Sequence, residues 1–218
     1  MEQFVICASE SYRWWNRCGG LCLDKDTSAF CHSDYRGGGN WKLKGTVENL
    51  ICTLKNDRTP YSSDVLTDAC QKLREILSID LPQISRRFGF SPFTVCVIPR
   101  AKHEHHYAPN QLLFRTTVQN YVINAGLNFF DGTSNIIRHT DTRTTHSDRS
   151  GNGGNGPKPY PGITKDTCDI KNIQGKDILL IDDLYTKHIC IDEDAIQALY
   201  DNGANRVVFY SVGKTVSN

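Results

Sequence analysis

Two adjacent carboxylates, Asp182 and Asp183, directly follow four consecutive aliphatic residues, Ile178 to Ile181. An uninterrupted aliphatic run is typical of a parallel strand that is covered on both faces. The acids therefore lie at the carboxyl end of a predicted strand, the edge where open α/β sheets bind their ligands. This position makes both acids candidates for ligand binding.

The residues after the two acids predict an anion site. Tyr185 to Ile189 form a short predicted loop that leads into a helix, whose apolar residues recur on one face: Ala195, Ile196, Leu199 and Tyr200. The acidic residues Asp192, Glu193 and Asp194 suit the first turn of that helix, and Gly203 ends it. Backbone N–H groups at a helix N-terminus bind phosphate, so the predicted ligand is a phosphorylated polyol.

A second candidate site follows another buried strand. Phe93 to Ile98 form an apolar run, and Pro99 to Lys102 turn away from its carboxyl end. Arg100 and Lys102 would place positive charge at the same sheet edge as the two acids. This charge favours pyrophosphate as a further ligand.

The aliphatic strand, the two acids and Thr186 resemble the phosphoribosyl pyrophosphate (PRPP) motif of type I phosphoribosyltransferases. In that family the paired acids hold the ribose hydroxyls and, through water, magnesium, while the loop binds the 5′-phosphate. The resemblance implies a catalytic role for Asp182 and Asp183, and Mg²⁺ as the cofactor that accompanies PRPP. It implies ligand binding by Thr186, Lys187, His188, Ile189 and Cys190 in the loop, and by Arg100, Ala101 and Lys102 in the turn.

Shorter landmarks resemble the ComF-like, competence-type branch of this family. They are Leu50 to Lys55 for the early helix, Val97 to Arg100 for the pyrophosphate loop, Asn110-Gln111 for the next helix, and Arg138 with Thr142. The resemblance spans about residues 45 to 215. It implies an α/β fold with a phosphoribosyltransferase-like core, in which helices flank a mostly parallel sheet.

The phosphate loop departs from the family pattern. The family has Thr-Thr-Gly-x-Thr, whereas residues 186 to 190 include neither the glycine nor the final hydroxyl. A β-carbon in a left-handed conformation costs roughly 1–2 kcal/mol, so the loop is expected to take another path, with Lys187 and His188 as side-chain donors.

Two functions stay open. One is a phosphoribosyltransferase that moves phosphoribose to or from a nitrogenous acceptor. The other is a nucleotide or ribose-phosphate binding module that has lost catalysis and acts with a protein partner, with a link to DNA uptake or other DNA-related processes suggested only by analogy with the competence branch.

The amino-terminal segment differs in composition from the rest. Residues 1–44 predict a small Cys- and Trp-rich appendage, and residues 45–218 predict the phosphoribosyltransferase-like domain. Structural zinc is one interpretation of Cys7, Cys18, Cys22, Cys31 and His32. The cysteines are separated by ten, three and eight residues, which does not match paired zinc knuckles and favours buried thiols.

Helices and one long loop connect these features. Residues 46–55, 64–77 and 111–124 have helical periodicity, and residues 78–92, punctuated by Pro82, Gly89 and Pro92, predict a connection. Residues 139–163 predict a flexible loop, either a disordered linker or a lid that brings Arg138, Arg143 and Arg149 to pyrophosphate. Residues 103–106, with three histidines, favour a solvated surface or phosphate donors over a metal cluster.

The overall composition limits the classes of partner. The 25 basic and 24 acidic residues produce no strong net field, which argues against a nucleic-acid or anionic membrane surface. Nine cysteines, an odd number, and the lack of a signal-like segment predict a cytoplasmic protein. No apolar run approaches the roughly 18 residues of a membrane span.

Overall fold

Strands and helices alternate along most of the chain. The computed structural model describes residues 1–8, 23–57, 60–126, 128–144, 162–187 and 189–216. The strands are β1 (Glu2–Ile6), β2 (Thr27–Tyr35), β3 (Phe93–Val97), β4 (Phe129–Asp131), β5 (Ile136–Arg138), β6 (Cys168–Ile170), β7 (Asp177–Tyr185) and β8 (Arg206–Thr215). The helices are α1 (Val47–Lys55), α2 (Ser63–Arg87), α3 (Leu113–Ala125) and α4 (Ile191–Asp201), with short 3-10 helices at Asn40–Lys42, Glu104–His106 and Pro109–Gln111.

A six-stranded sheet organises these elements, with the strand order β1-β2-β8-β7-β3-β4. Strands β2, β8, β7, β3 and β4 are parallel to their neighbours, and β1 pairs antiparallel with β2. Strands β5 and β6 form a separate antiparallel pair. The predicted α/β fold with a mostly parallel sheet and flanking helices is confirmed; the phosphoribosyltransferase type stays a prediction.

Strand β7 lies inside the sheet, and its side chains enter two cores. Leu179 and Ile181 pack in the core formed with α1, α2 and α3. Ile178 and Leu180 pack on the opposite face, in the core that includes α4. All four side chains are fully buried, which explains the uninterrupted aliphatic run in the sequence.

The connection predicted at residues 78–92 is wrong for most of its length, because helix α2 runs through it. The helix continues to Arg87 with Pro82 inside it. A proline within a helix costs about 3 kcal/mol, but each buried leucine or isoleucine contributes about 1.5–3 kcal/mol. Leu81, just before the proline, and Ile84, two residues after it, are completely buried in the hydrophobic core, so their packing offsets the cost of the proline.

The described part of the amino-terminal segment contributes two strands, β1 and β2, to this sheet. Strand β2 pairs with β8 from Ala29 to Tyr35, and β1 forms the edge. The division of the chain at residue 44 and the zinc site stay predictions, because Cys18 and Cys22 lie outside the described residues. The ring of His32 hydrogen-bonds to Asp80.

Among the described helices, none combines the length and the apolar character that a bilayer crossing requires.

A buried carboxylate joins α2 to the sheet. Asp80 is 1 % exposed, and its Oδ2 accepts a hydrogen bond of 2.8 Å from the Tyr210 hydroxyl and lies 2.8 Å from His32 Nδ1. We expect Asp80→Ala to lower the free energy of unfolding by about 2–4 kcal/mol, because it leaves the buried hydroxyl without its partner. Urea denaturation measures this change.

The matched control is Asp68→Ala, an exposed position on the same helix. It should change the free energy of unfolding by less than about 0.5 kcal/mol. Equal effects of the two substitutions would show that the Asp80 contacts add nothing to stability.

Candidate functional site

A cavity of about 620 Å³ opens at the carboxyl edge of the parallel strands. Several of the residues predicted for the site line it together: Arg100, Ala101, Asp182, Asp183, Thr186 and Ile189. Of the other predicted residues, Lys102, Lys187 and Cys190 are described but do not line the cavity, and His188 lies outside the described residues.

The two acids point to different helices. Strand β7 runs four residues beyond the predicted end at Ile181 and pairs Tyr185 with Lys214, so Asp182 and Asp183 lie inside the strand. Asp183 Oδ2 forms an ion pair of 2.9 Å with Lys55 Nζ at the end of α1. Asp182 instead makes a side-chain hydrogen bond with Asp192 in the first turn of α4.

Asp182 and Asp192 form a carboxyl pair beside the cavity. Burial and the neighbouring charge of Asp183 raise the pKa of Asp182 to about 7, although Lys55 acts in the other direction. Burial and the charge of Asp182 raise the pKa of Asp192 well above its ordinary value. Two close carboxyl groups cannot both ionise cheaply, so burial and mutual repulsion favour the sharing of one proton by the pair near neutral pH.

The acidic first turn of α4 is much more buried than the sequence suggested. Asp192, Glu193 and Asp194 are each at most 5 % exposed. The Tyr185 hydroxyl donates a hydrogen bond of 3.0 Å to Glu193, and a β-carbon at Gly162 would lie 2.4 Å from Asp194 Oδ2. Acidic residues in a first helical turn usually face solvent, where the helix dipole stabilises them. The sequence therefore offers no sign that these three residues are buried.

In the loop before α4, a cysteine has the left-handed backbone conformation that usually favours glycine. Cys190 has φ +62° and ψ +17°, and its carbonyl accepts the Asp194 N–H at 3.1 Å. This cysteine is buried and precedes the helix directly. The hydroxyls of Thr186 and Thr215 share a hydrogen bond of 2.8 Å, which joins the ends of β7 and β8 beside the cavity.

Arg100 acts mainly as a bracket between chain segments. Its NH1 donates to the carbonyl oxygens of Lys55 and Gln111 at 3.1 and 2.8 Å. Its NH2 lies 2.6 and 2.5 Å from the two carboxylate oxygens of Asp57, and its guanidinium stacks on the ring of Tyr107. Most of its donors are therefore used within the protein, which leaves few for the predicted pyrophosphate.

The turn after β3 also accepts hydrogen bonds from the end of β5 and from the segment that follows β5. Arg138 Nε donates a hydrogen bond of 2.6 Å to the carbonyl of Arg100. Thr142 bonds to the carbonyl of Ala101 through both its N–H, at 2.8 Å, and its hydroxyl, at 3.1 Å. Arg138 is 3 % exposed, and burial lowers its pKa. These bonds bring the resembling Arg138 and Thr142 landmarks next to the turn.

Charges around the cavity are segregated. The basic side chains lining it are Arg36, Lys55, Arg100, Arg115, Arg138 and Arg143, and the acidic ones are Glu104, Asp182, Asp183 and Asp192. Three of the four acids lie together where β7 meets α4, and Glu104 pairs with Arg115. The remaining wall is predominantly basic, so the cavity suits a ligand with both hydroxyl groups and anionic groups.

The predicted lid and the histidine segment contribute at one side. Thr142, Arg143 and Gly162 line the cavity, while residues 145–161, including Arg149, lie outside the described residues. The lid and linker interpretations both stay predictions. His106 Nδ1 lies 3.1 Å from Asp141 Oδ2. The described residues contain no group of three or more His, Cys, Asp or Glu side chains arranged to hold a metal ion.

Sequence reasoning missed two important contacts of the acids. Lys55 was noted only as the last residue of the early helix, and Asp192 only as part of an acidic first turn. Both residues reach the acids through tertiary contacts between distant parts of the chain, 128 residues apart for Lys55 and Asp183. The resemblance of the segment Leu50 to Lys55 was the only available signal for Lys55.

Comparison with protein-family models and with curated protein sequences gives no match to this chain. Functional assignment therefore rests on the residues and geometry of the cavity.

The carboxyl pair predicts a pH dependence of stability. Because the pKa of Asp182 is about 7 when folded and 3.8 ordinarily, the folded protein binds more protons than the unfolded chain between these values. The pair therefore destabilises the fold by about 1–3 kcal/mol as the pH rises from 4 to 7. Asp192→Asn should reduce this loss, since an amide donates to Asp182 without adding negative charge. Urea denaturation at pH 5 and pH 8 measures it.

Asp201→Asn, an exposed change on the same helix, is the control for the loss of one carboxylate. It should retain the wild-type difference between the two pH values. An Asp192→Asn protein with that same difference would contradict proton sharing by the pair.

The hydrogen bonds of Arg100 to Lys55, Gln111 and Asp57 predict that this side chain is needed for stability. We expect Arg100→Lys to lower the free energy of unfolding by about 1–3 kcal/mol, because one ammonium cannot reach two carbonyls and both oxygens of Asp57. Arg86→Lys, exposed on α2, is the matched control, with a change under about 0.5 kcal/mol. Indistinguishable urea midpoints for the two variants would remove the structural role.

Proposed function

We propose that this protein binds PRPP in the cavity and transfers phosphoribose to or from a nitrogenous acceptor. The observation that carries the proposal is that Asp182 and Asp183 share one cavity with the turn Pro99–Ala101 and with a wall that includes Arg36, Arg138 and Arg143, at the carboxyl edge of a parallel sheet. This edge is where α/β proteins bind ligands, and the volume of about 620 Å³ is in the usual range for a small-molecule site.

Each end of PRPP has matching groups in this cavity. The carboxylates of Asp182 and Asp183 accept hydrogen bonds from the ribose hydroxyls. Thr186 and the backbone at the start of α4 lie where a 5′-phosphate gains from the helix dipole. Arg138 lines the cavity while it donates to the backbone carbonyls of Arg100 and Thr140, and its positive charge is the proposed partner of the pyrophosphate.

The proposed reaction breaks the bond from the anomeric carbon to pyrophosphate and forms a bond from that carbon to the acceptor nitrogen. Positive charge develops on the sugar while negative charge leaves with pyrophosphate. Catalysis then depends on positioning and on electrostatic stabilisation of both charges, which the segregated acids and cations of the cavity favour.

Magnesium is part of this proposal as a companion of PRPP. Mg²⁺ prefers oxygen ligands and often binds through one or two carboxylates together with substrate phosphates. Asp182 and Asp183 fit such a role in the chemistry of their donors, although the described residues offer no group of three acidic, His or Cys ligands. When bound, magnesium would neutralise charge on the departing pyrophosphate.

The proposal predicts ligand-dependent stabilisation. PRPP with Mg²⁺ should raise the melting temperature, since a ligand at 100 times its dissociation constant stabilises the fold by about 2.7 kcal/mol. Asp183→Asn should weaken PRPP binding at least about tenfold in calorimetry. Release of pyrophosphate in the presence of candidate bases tests the transfer itself.

Asp68→Asn, exposed on α2, is the control and should bind PRPP as the wild type does. Wild-type protein that is folded and yet binds no PRPP in calorimetry would refute the proposal. An unchanged affinity in Asp183→Asn would place the ligand elsewhere.

A second candidate is a binding module without turnover that senses a nucleotide or ribose phosphate for a protein partner. It is favoured by the loop, whose left-handed position holds Cys190, and by the commitment of Arg100 to Asp57 and to backbone carbonyls. Ligand-dependent association with a partner, without pyrophosphate release and abolished by Asp183→Asn, distinguishes it. A role with DNA rests on the family resemblance alone, and absent binding to oligonucleotides would exclude it.

A further inference from the structure

A lysine ammonium occupies the side of the acid pair that faces α1. Lys55 Nζ lies 2.9 Å from Asp183 Oδ2, and the two side chains are 25 % and 15 % exposed. Burial alone would lower the pKa of Lys55, but attraction to Asp183 and then Asp182 raises it above its ordinary value. One positive charge therefore serves both carboxylates.

The backbone at Lys55 is fixed by the bracket around Arg100. The Lys55 carbonyl accepts a hydrogen bond of 3.1 Å from Arg100, and the same guanidinium binds Asp57, two residues further on. Asn56 between them has a left-handed conformation that ends α1. These hydrogen bonds fix the backbone at the end of α1, from which the Lys55 side chain reaches the cavity wall.

Charge balance at the acids follows from this placement. The ammonium lies within ion-pair distance of Asp183, so attraction between opposite charges favours the charged form of both groups. An ammonium also has three N–H donors, of which Asp183 accepts one in the observed ion pair. With Lys55 as the counter-ion and Asp192 sharing a proton with Asp182, the two acids can keep their orientation beside a bound sugar without a metal ion.

We infer that Lys55 is the built-in counter-ion of Asp182 and Asp183, so that the cavity binds a ribose phosphate without any divalent cation. This inference rests on the proposed function and narrows it: Asp182 and Asp183 hold the ribose with Lys55 as their counter-ion, and magnesium is needed only where the pyrophosphate of PRPP supplies further oxygen ligands. Lys55 is a positioning residue that acts through Asp183. The lack of a three-ligand metal group among the described residues agrees with this assignment.

The test uses ribose 5-phosphate, which lacks the pyrophosphate that carries magnesium in PRPP. Its dissociation constant is measured by calorimetry on the full chain, once in EDTA and once in excess Mg²⁺. The two values should agree within about threefold. Binding that requires Mg²⁺ would overturn the inference.

Variants of Lys55 identify the residue responsible. Lys55→Met should weaken binding of ribose 5-phosphate in EDTA by at least about tenfold. Mg²⁺ should restore part of the affinity, because the carboxylates that have lost their ammonium partner then attract the metal. Lys55→Arg keeps the charge and should remain independent of Mg²⁺. Lys72→Met removes an exposed lysine that pairs with Glu75 on α2, and should behave as the wild type.

The outcomes separate this inference from the proposed function. Binding of PRPP with no binding of ribose 5-phosphate in EDTA overturns the inference alone, as does a Lys55→Met protein with wild-type affinity in EDTA. No binding of either sugar phosphate in either buffer overturns both. If Lys55→Met does not fold, the comparison of EDTA with Mg²⁺ on the wild-type chain decides the question by itself.

Discussion

The site depends on two carboxylates that directly follow four buried aliphatic residues within one strand. Strand β7 is buried on both faces, so Asp182 and Asp183 emerge where the two hydrophobic cores end. Charge in such a place is costly unless it is paired or protonated. The protein uses both solutions: Lys55 pairs with Asp183 on one face, and Asp192 shares a proton with Asp182 on the other.

This constraint explains why distant segments converge on one edge of the sheet. The end of α1 supplies the ammonium, and Arg100 holds that end by bonding to the Lys55 carbonyl and to Asp57. Arg138 and Thr142 then hold the backbone of the same turn. The cavity wall is therefore one connected network, and a change in the turn after β3 can alter the acids without touching them.

The network also changes the meaning of individual charges. Arg100 was predicted to bind pyrophosphate, but most of its donors are used to join three chain segments, so any contribution to an anion comes mainly through the turn that it holds. The loop before α4 likewise reaches a left-handed conformation at Cys190, without glycine. This loop geometry bears on the choice between the two proposed functions. A phosphoribosyltransferase needs the loop to hold the 5′-phosphate during transfer, whereas a binding module needs only affinity for the ligand.

Prediction from the residues alone finds the α/β class, the buried strand with its acids, and the position of the acids at the carboxyl edge, because hydrophobic runs and helical periodicity are local properties of the chain. It misplaced the end of α2, since the packing of Leu81 and Ile84 offsets the local signal of Pro82. Only the tertiary structure decided the partners of the charges. Lys55 meets Asp183 across 128 residues, and such pairings leave no periodic signal in a single sequence.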